Sequence, residues 1–228
     1  MLGELPSEFD PELQGRKPEH VWNGHWTYGY PLTFDFGFTV LISGQRQIYE
    51  GLGRYLHIHQ LIPQKGNILD VGCGPSSHYI FGEELTKKSV FGVDYAPAQL
   101  EKSKIPPHRQ IEADLREEHL PDALTKQKFS LITSFLAARY LNDTEASRLY
   151  RNLRPLGETL VVADVHGANP RFERVLGQQR KFTSEREKEL LEEAGYTHVQ
   201  TTPVFLPRSD GSPAANMVWG QANESGNS

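Results

Sequence analysis

The chain has 228 residues, a formal net charge of −5 and a sequence pI near 6.0, and its basic residues are scattered. That length suits one domain with a full core rather than two, and the charge argues against a nucleic-acid surface, which needs clustered Lys and Arg. The only cysteine, Cys73, excludes an internal disulfide, and no apolar run approaches the ~20 residues of a membrane span or forms a signal-peptide core, so a soluble cytoplasmic protein is expected.

In chain order, residues 1–20 are rich in Pro, Glu and Lys and read as a mobile arm. Residues 21–38 are dense in aromatics but broken by Gly24, Gly29, Pro31 and Gly37, so no helical or alternating period holds. Over 43–60 the spacing of Ile48, Leu52 and Leu56, with Tyr49 and Tyr55 beside them, predicts an amphipathic helix packed on a sheet. Strands are then expected at 66–71, 89–93, 109–112, 128–134 and 158–164, alternating with helical stretches, a pattern that implies a parallel sheet with right-handed crossovers. Pro106 and Pro107 end the short helix after Asp94. Asn142 with Glu145 reads as a capping box, Ser184 with Glu187 as another, and Gly195 as a helix C-terminal cap. Two last strands, 196–206 and 215–221, are joined by a turn-rich RSDGSP, and the final NESGNS reads as disordered. The division expected is an N-terminal arm, aromatic flap and helix over 1–62, a ligand-binding core over 63–222 and a tail over 223–228.

The most informative stretch is NILDVGCGPSSHYI at 67–80. A short apolar run reaches Asp70, then Gly72 and Gly74 turn the chain tightly where a helix can begin. Glycines there tolerate positive φ and let a ligand approach the backbone. A second apolar run ends on Asp94, twenty residues past Gly74, where a carboxylate at a strand tip can take both hydroxyls of a ribose. A dinucleotide fits poorly, because Ser77 stands where the third glycine of that fingerprint belongs. Asp70 would also put negative charge near a pyrophosphate, whereas it suits a ligand that carries positive charge.

On these residues the chain resembles the class I S-adenosylmethionine-dependent methyltransferases, with LDVGCG at 69–74 similar to their first motif and VD at 93–94 to their second. EADL at 112–115, FSLITS at 129–134 and LRPLGETLVVAD at 153–164 resemble their later segments, with Leu156 and Glu158 departing mildly from the usual wording. The resemblance implies a Rossmann-like, doubly wound, seven-stranded α/β sheet, mostly parallel with a terminal antiparallel strand. It implies S-adenosyl-L-methionine as cofactor, held by Asp70, Gly72, Cys73, Gly74, Asp94, Tyr95, Gln99, Asp114, Leu115 and Ser134. Asp94 would bind the ribose, Asp114 the adenine amino group, the Leu115 backbone N–H an adenine ring nitrogen, and Asp70 the methionine ammonium.

A narrower resemblance, carried by GPS at 74–76, VDY at 93–95, GQQRKF at 177–182 and AGYT at 194–197, is to the nicotinamide, phenylethanolamine and thioether methyltransferases. It implies a small-molecule methyl acceptor, tyrosines of the N-terminal segment (Tyr28 and Tyr30) closing over the cofactor, and Asp164 touching the substrate. His78 in place of a tyrosine and a short stretch from Asp94 to Asp114 depart from it. Trp26 joins Tyr28 and Tyr30 as a candidate lid, because aromatic faces attract cations. Arg139, after the fourth strand, could take an acceptor carboxylate bidentately. Asp164 could orient an ammonium, and His166 or His78 could serve as general base for an oxygen acceptor. The expected activity is N-methylation by proximity in a closed aromatic pocket. O-methylation with a histidine base and a catalytically inactive cofactor-binding partner protein are the alternatives. No metal, nucleic acid or membrane is expected, and the oligomeric state is open.

Overall fold

The computed structural model describes residues 46–114, 117–165, 182–206 and 213–222. Helix α1 (46–58) leads into β1 (Ile68–Val71), α2 (Ser77–Phe81), α3 (Glu83–Ser89), β2 (Val90–Asp94), α4 (Pro97–Leu100) and β3 (Gln110–Glu112). There follow α5 (Asp122–Thr125), β4 (Leu131–Phe135), α6 (Asp143–Leu153), β5 (Thr159–Val165), α7 (Ser184–Glu193), β6 (Tyr196–Val204) and β7 (Ala215–Ala222). All seven expected strands are present, each within a few residues of its predicted span.

The strands form one sheet in the order β3-β2-β1-β4-β5-β7-β6. β1 to β5 run parallel, and β7 enters antiparallel between β5 and β6. The order reverses between β1 and β4, so their carboxyl ends flank the crevice where sheets of this type bind ligands.

Strand residues are buried on both faces, as a sheet covered by helices requires. Leu69, Ile132, Leu160, Val162 and Val218 meet α6 and α7 through Leu149, Leu153, Leu190 and Leu191. On the other face Ile68, Leu131, Val161 and Met217 meet Leu52 and Leu56 of α1 and Ile80 and Phe81 of α2. The apolar stripe read from 43–60 is thus the face by which α1 covers the sheet.

The capping box at α6 forms in both directions: Asn142 Oδ1 accepts the Glu145 N–H at 3.0 Å, and Glu145 accepts the Asn142 N–H at 2.8 Å. The one expected from Ser184 and Glu187 does not form. Thr183 is the N-cap of α7, its hydroxyl accepting the Arg186 N–H at 3.3 Å, and Ser184 is already helical. Starting one residue earlier turns Glu187 into the core, where it accepts the Tyr150 hydroxyl at 2.6 Å and ties α7 to α6. Gly195 follows α7 at φ +90°, as a C-terminal cap requires. α4 stops at Leu100, well before Pro106, which instead opens the 3-10 turn Pro107–Arg109.

Candidate functional site

The chain leaves β1 through a turn whose backbone is tied to β2: the Gly72 and Cys73 N–H groups both donate to the Val93 carbonyl, at 2.8 and 3.2 Å. Gly72 and Gly74 have φ of +67° and +46°, the left-handed region that favours glycine. Their surroundings differ. A Cβ on Gly72 would lie 2.4 Å from Ala137 Cβ, so this glycine lets the segment after β4 pack on the turn. A Cβ on Gly74 would meet none of the described residues within 4 Å. That open face is a space a ligand backbone or chain can occupy.

Asp94, at the tip of β2, lies against the same turn. Its Oδ2 accepts the Gly74 N–H and its Oδ1 the Ala96 N–H, both at 2.9 Å. Burial raises the Asp94 carboxyl above its ordinary pKa, and the N–H groups of Ala96, Gly74 and Tyr95 oppose that. Each oxygen keeps a further lone pair, so the carboxylate can still accept from two hydroxyls. The Ala113 N–H donates to the Asp94 carbonyl at 3.0 Å, which brings half-buried Asp114 to the same sheet edge. Half-buried Tyr95 and buried Gln99 follow Asp94 directly.

Asp70 sits beneath the turn rather than on it. It accepts the Ser77 hydroxyl at 2.6 Å and the Thr133 hydroxyl at 2.8 Å, so it joins the start of α2 to β4. Burial pushes its carboxyl up to about 6, the two hydroxyls pull it down, and neighbouring Asp94 raises it further. The Cys73 side chain is turned into the core, its Sγ 2.7 Å from where a Gly92 Cβ would be. Burial raises its thiol well above the ordinary value, so Cys73 offers a ligand only its backbone. Ser134 is buried on β4, and its Oγ has no hydrogen-bond partner among the described residues.

The residues expected to meet the acceptor are placed differently from one another. Arg139, in the 3-10 turn Ala138–Tyr140, and Asp164, at the end of β5, are brought together. Arg139 Nε donates to Asp164 Oδ2 at 2.7 Å, and its Nη2 pairs with Oδ1. Asp164 is fully buried and Arg139 nearly so, and Oδ1 also accepts the Val165 N–H. Each of the two charges expected to face a substrate is compensated by the other. His78 stands apart from them, half-buried beside Glu83, Lys104 and Arg46, with burial lowering its pKa. Trp26, Tyr28, Tyr30, Leu115 and His166 lie outside the described residues.

Tyr49 is a residue the sequence reading treats only as part of an apolar stripe. Burial raises its phenol well above the ordinary value, with Asp70 and Tyr140 adding to this and Arg139 opposing it. A half-open hollow of about 510 Å³, lined by His59, Lys65, Ser130, Trp219 and Gln221 among others, lies at the opposite, amino edge of the sheet. It is separate from the glycine turn. No helix among the described residues is long and apolar enough to cross a membrane.

Residues 68–157 match the family model described as "Methyltransferase domain". A search of curated protein sequences finds no significant match. Among solved structures, magnesium protoporphyrin IX methyltransferase from Synechocystis PCC 6803, with S-adenosylmethionine bound, superposes with a TM-score of 0.60 at 14% identity, over 89% of this chain and 93% of that one. An S-adenosylmethionine-dependent methyltransferase from Mesorhizobium loti gives 0.55 at 19% identity, over 76% and 99%. The CurJ carbon methyltransferase gives 0.55 at 14%, over 71% of this chain and only half of its own length. At such identities the likeness is one of fold, and it agrees with the matched family. Residues 68–157 thus match a methyltransferase domain, and the chain has the fold of these S-adenosylmethionine-dependent methyltransferases.

Proposed function

We propose that the chain transfers a methyl group from S-adenosylmethionine to a small molecule, with N-methylation the favoured reaction. The observation that carries the cofactor's place is the carboxylate of Asp94, held by the Gly74 and Ala96 N–H groups beside the open face of Gly74. Bound there, the sulfonium supplies an activated methyl group. Asp94 accepts the ribose hydroxyls, Asp114 the adenine amino group, and the Gly72–Gly74 backbone borders the methionine portion. Asp70 contributes negative charge from below the turn. The protein's remaining task is to orient a lone pair and keep out water, which calls for shape more than for a reactive side chain. The aromatic segment 21–38 is the proposed lid, because its rings suit an amine or aromatic acceptor. The same reading sets the substrate lid at 1–62 and the cofactor core at 63–222.

Calorimetric titration tests this directly. Micromolar binding of S-adenosylmethionine and S-adenosylhomocysteine, with none of NAD, is the expected result, followed by turnover on amines or pyridines. Binding of NAD in their place would overturn the assignment of the crevice.

Asp70 adds a pH signature. Its carboxyl is raised to about 6 from 3.8, so between those values the folded chain holds more proton than the unfolded one. The stabilisation this gives is full below the lower value and lost as pH rises through the upper. A cationic ligand favours the carboxylate, so S-adenosylmethionine affinity should rise as pH passes upward through about 6. Titration between pH 5 and 7.5 should show this rise in the parent and a flatter profile in Asp70→Asn. Equal profiles would assign the dependence elsewhere.

A further inference from the structure

Thr133 lies in the middle of β4 with no exposed surface, in a strand whose other residues, Leu131, Ile132, Ser134 and Phe135, are also buried. A valine would fill the same volume without bringing a hydroxyl into the core, so the Thr133 oxygen needs a partner to be tolerated there. The sheet register supplies one. Asp70 on β1 is paired with Thr133 on β4 and with Gly92 on β2, so the three stand side by side on one face of the sheet. Thr133 Oγ1 donates to Asp70 Oδ1 at 2.8 Å, against 3.5 Å to the Leu69 carbonyl, so the carboxylate is its principal partner.

The other flank of Asp70 offers little. Gly92 has no side chain, and the space over it is taken by Ile105 Cδ1 and by Cys73 Sγ, at best a weak donor. From α2, fully buried Ser77 donates to Asp70 Oδ2 at 2.6 Å. A carboxylate that is itself 2% exposed thus depends on two hydroxyls, one on each oxygen, brought by β4 and by α2. Among the described residues, the titratable groups that act on Asp70 or feel its charge are Tyr49 of α1, Cys73 of the turn and Asp94 of β2, and none of the three brings it a positive charge. Hydroxyls that donate to a carboxylate favour its charged form against burial.

We propose that Thr133 is a positioning residue for the cofactor: its hydroxyl, with that of Ser77, fixes Asp70 as a carboxylate under the glycine turn, where the charge favours a cationic ligand. This rests on the reading of the turn as the S-adenosylmethionine site. Thr133 acts through Asp70 and needs no contact with the ligand.

The test uses the full chain with Thr133→Val, Thr133→Ser and Ser77→Ala. Thr133→Val keeps the shape of the side chain and removes the donor, whereas Thr133→Ser keeps the donor. In the unliganded protein the Asp70 carboxyl is followed by carbon-13 NMR of aspartate-labelled samples, its signal assigned with Asp70→Asn. Its titration midpoint should rise by about 1–2 pH units in Thr133→Val and in Ser77→Ala, the effect of one hydrogen bond to a charged group, and stay near the parental value in Thr133→Ser. The S-adenosylmethionine Kd at pH 7 should rise by about 2–10-fold in Thr133→Val, and its ratio to the parental Kd should shrink toward one by pH 8.5, where both proteins hold the carboxylate. A loss of affinity equal at every pH would make Thr133 a packing residue and overturn the proposal. So would an unmoved Asp70 midpoint in Thr133→Val, or a moved midpoint with an unchanged Kd. Should Thr133→Val fail to fold, Ser77→Ala against Thr133→Ser decides by the same two readings. If the parent binds no S-adenosylmethionine, the cofactor reading fails and takes the positioning role with it. The carboxyl titration then reports separately whether the two hydroxyls hold Asp70.

Discussion

Asp94→Asn should abolish measurable S-adenosylmethionine binding while leaving a folded protein. The carboxylate is 8% exposed and places one oxygen on the Gly74 N–H and the other on the Ala96 N–H. An asparagine keeps one acceptor and sets an NH₂ against one of those N–H groups, so the turn loses a bond and gains a donor–donor contact. It also loses the charge that strengthens bonds from two ribose hydroxyls. Hydrogen bonds to charged groups are worth about 1.5–3 kcal/mol each, so losing two of them weakens binding by at least about 100-fold. Calorimetry on the variant, with a thermal midpoint recorded on the same sample, checks both halves of the expectation. Binding within a few-fold of the parent would move the ribose site away from β2.

What the sequence disclosed of this site follows chain locality. Gly72, Gly74 and Asp94 could be read because a strand, a sharp turn and an acidic strand tip announce themselves within a short stretch, and alternating strands and helices fix the sheet edge to which they belong. Asp70 was legible as an acid beside the glycine turn, but not as a group held under it, because its partners Ser77 and Thr133 come from different elements. Arg139 and Asp164 lie 25 residues apart, and each alone looks like a charge awaiting a substrate. Only the pairing of β4 with β5 reveals that they face each other. Tyr49 was legible as part of the apolar stripe, and its ring packs there. The start of α7 was ambiguous for a simpler reason: Thr183 and Ser184 are adjacent hydroxyl residues, and packing of Glu187 against Tyr150 decides between them.

The Arg139–Asp164 pair should prove the costliest place to leave one charge alone. Asp164 has no exposed surface, and both its oxygens are engaged by the guanidinium, one of them also by the Val165 N–H. Removing the arginine leaves a buried carboxylate without its counter-charge, a loss of about 3–5 kcal/mol in comparable pairs. Arg139→Ala should therefore lower the denaturant midpoint sharply, with Asp164→Asn milder because the amide can still accept one bond. Replacing both together, as Arg139→Met with Asp164→Leu, should recover much of the loss, because the penalty is the unpaired charge and not the missing attraction. The pair spans from the turn after β4 to the end of β5, and that turn also carries Ala137, packed against Gly72. Leu136, which begins it, is itself held at φ +59° with its N–H on the Ala163 carbonyl. The ion pair thus helps keep in place a segment that braces the glycine turn, so, with the cofactor held there as proposed, the single variants should lose cofactor affinity as well as stability. An Asp164→Asn protein with parental stability and cofactor affinity, but a raised KM for an amine acceptor, would instead return Asp164 to direct contact with substrate.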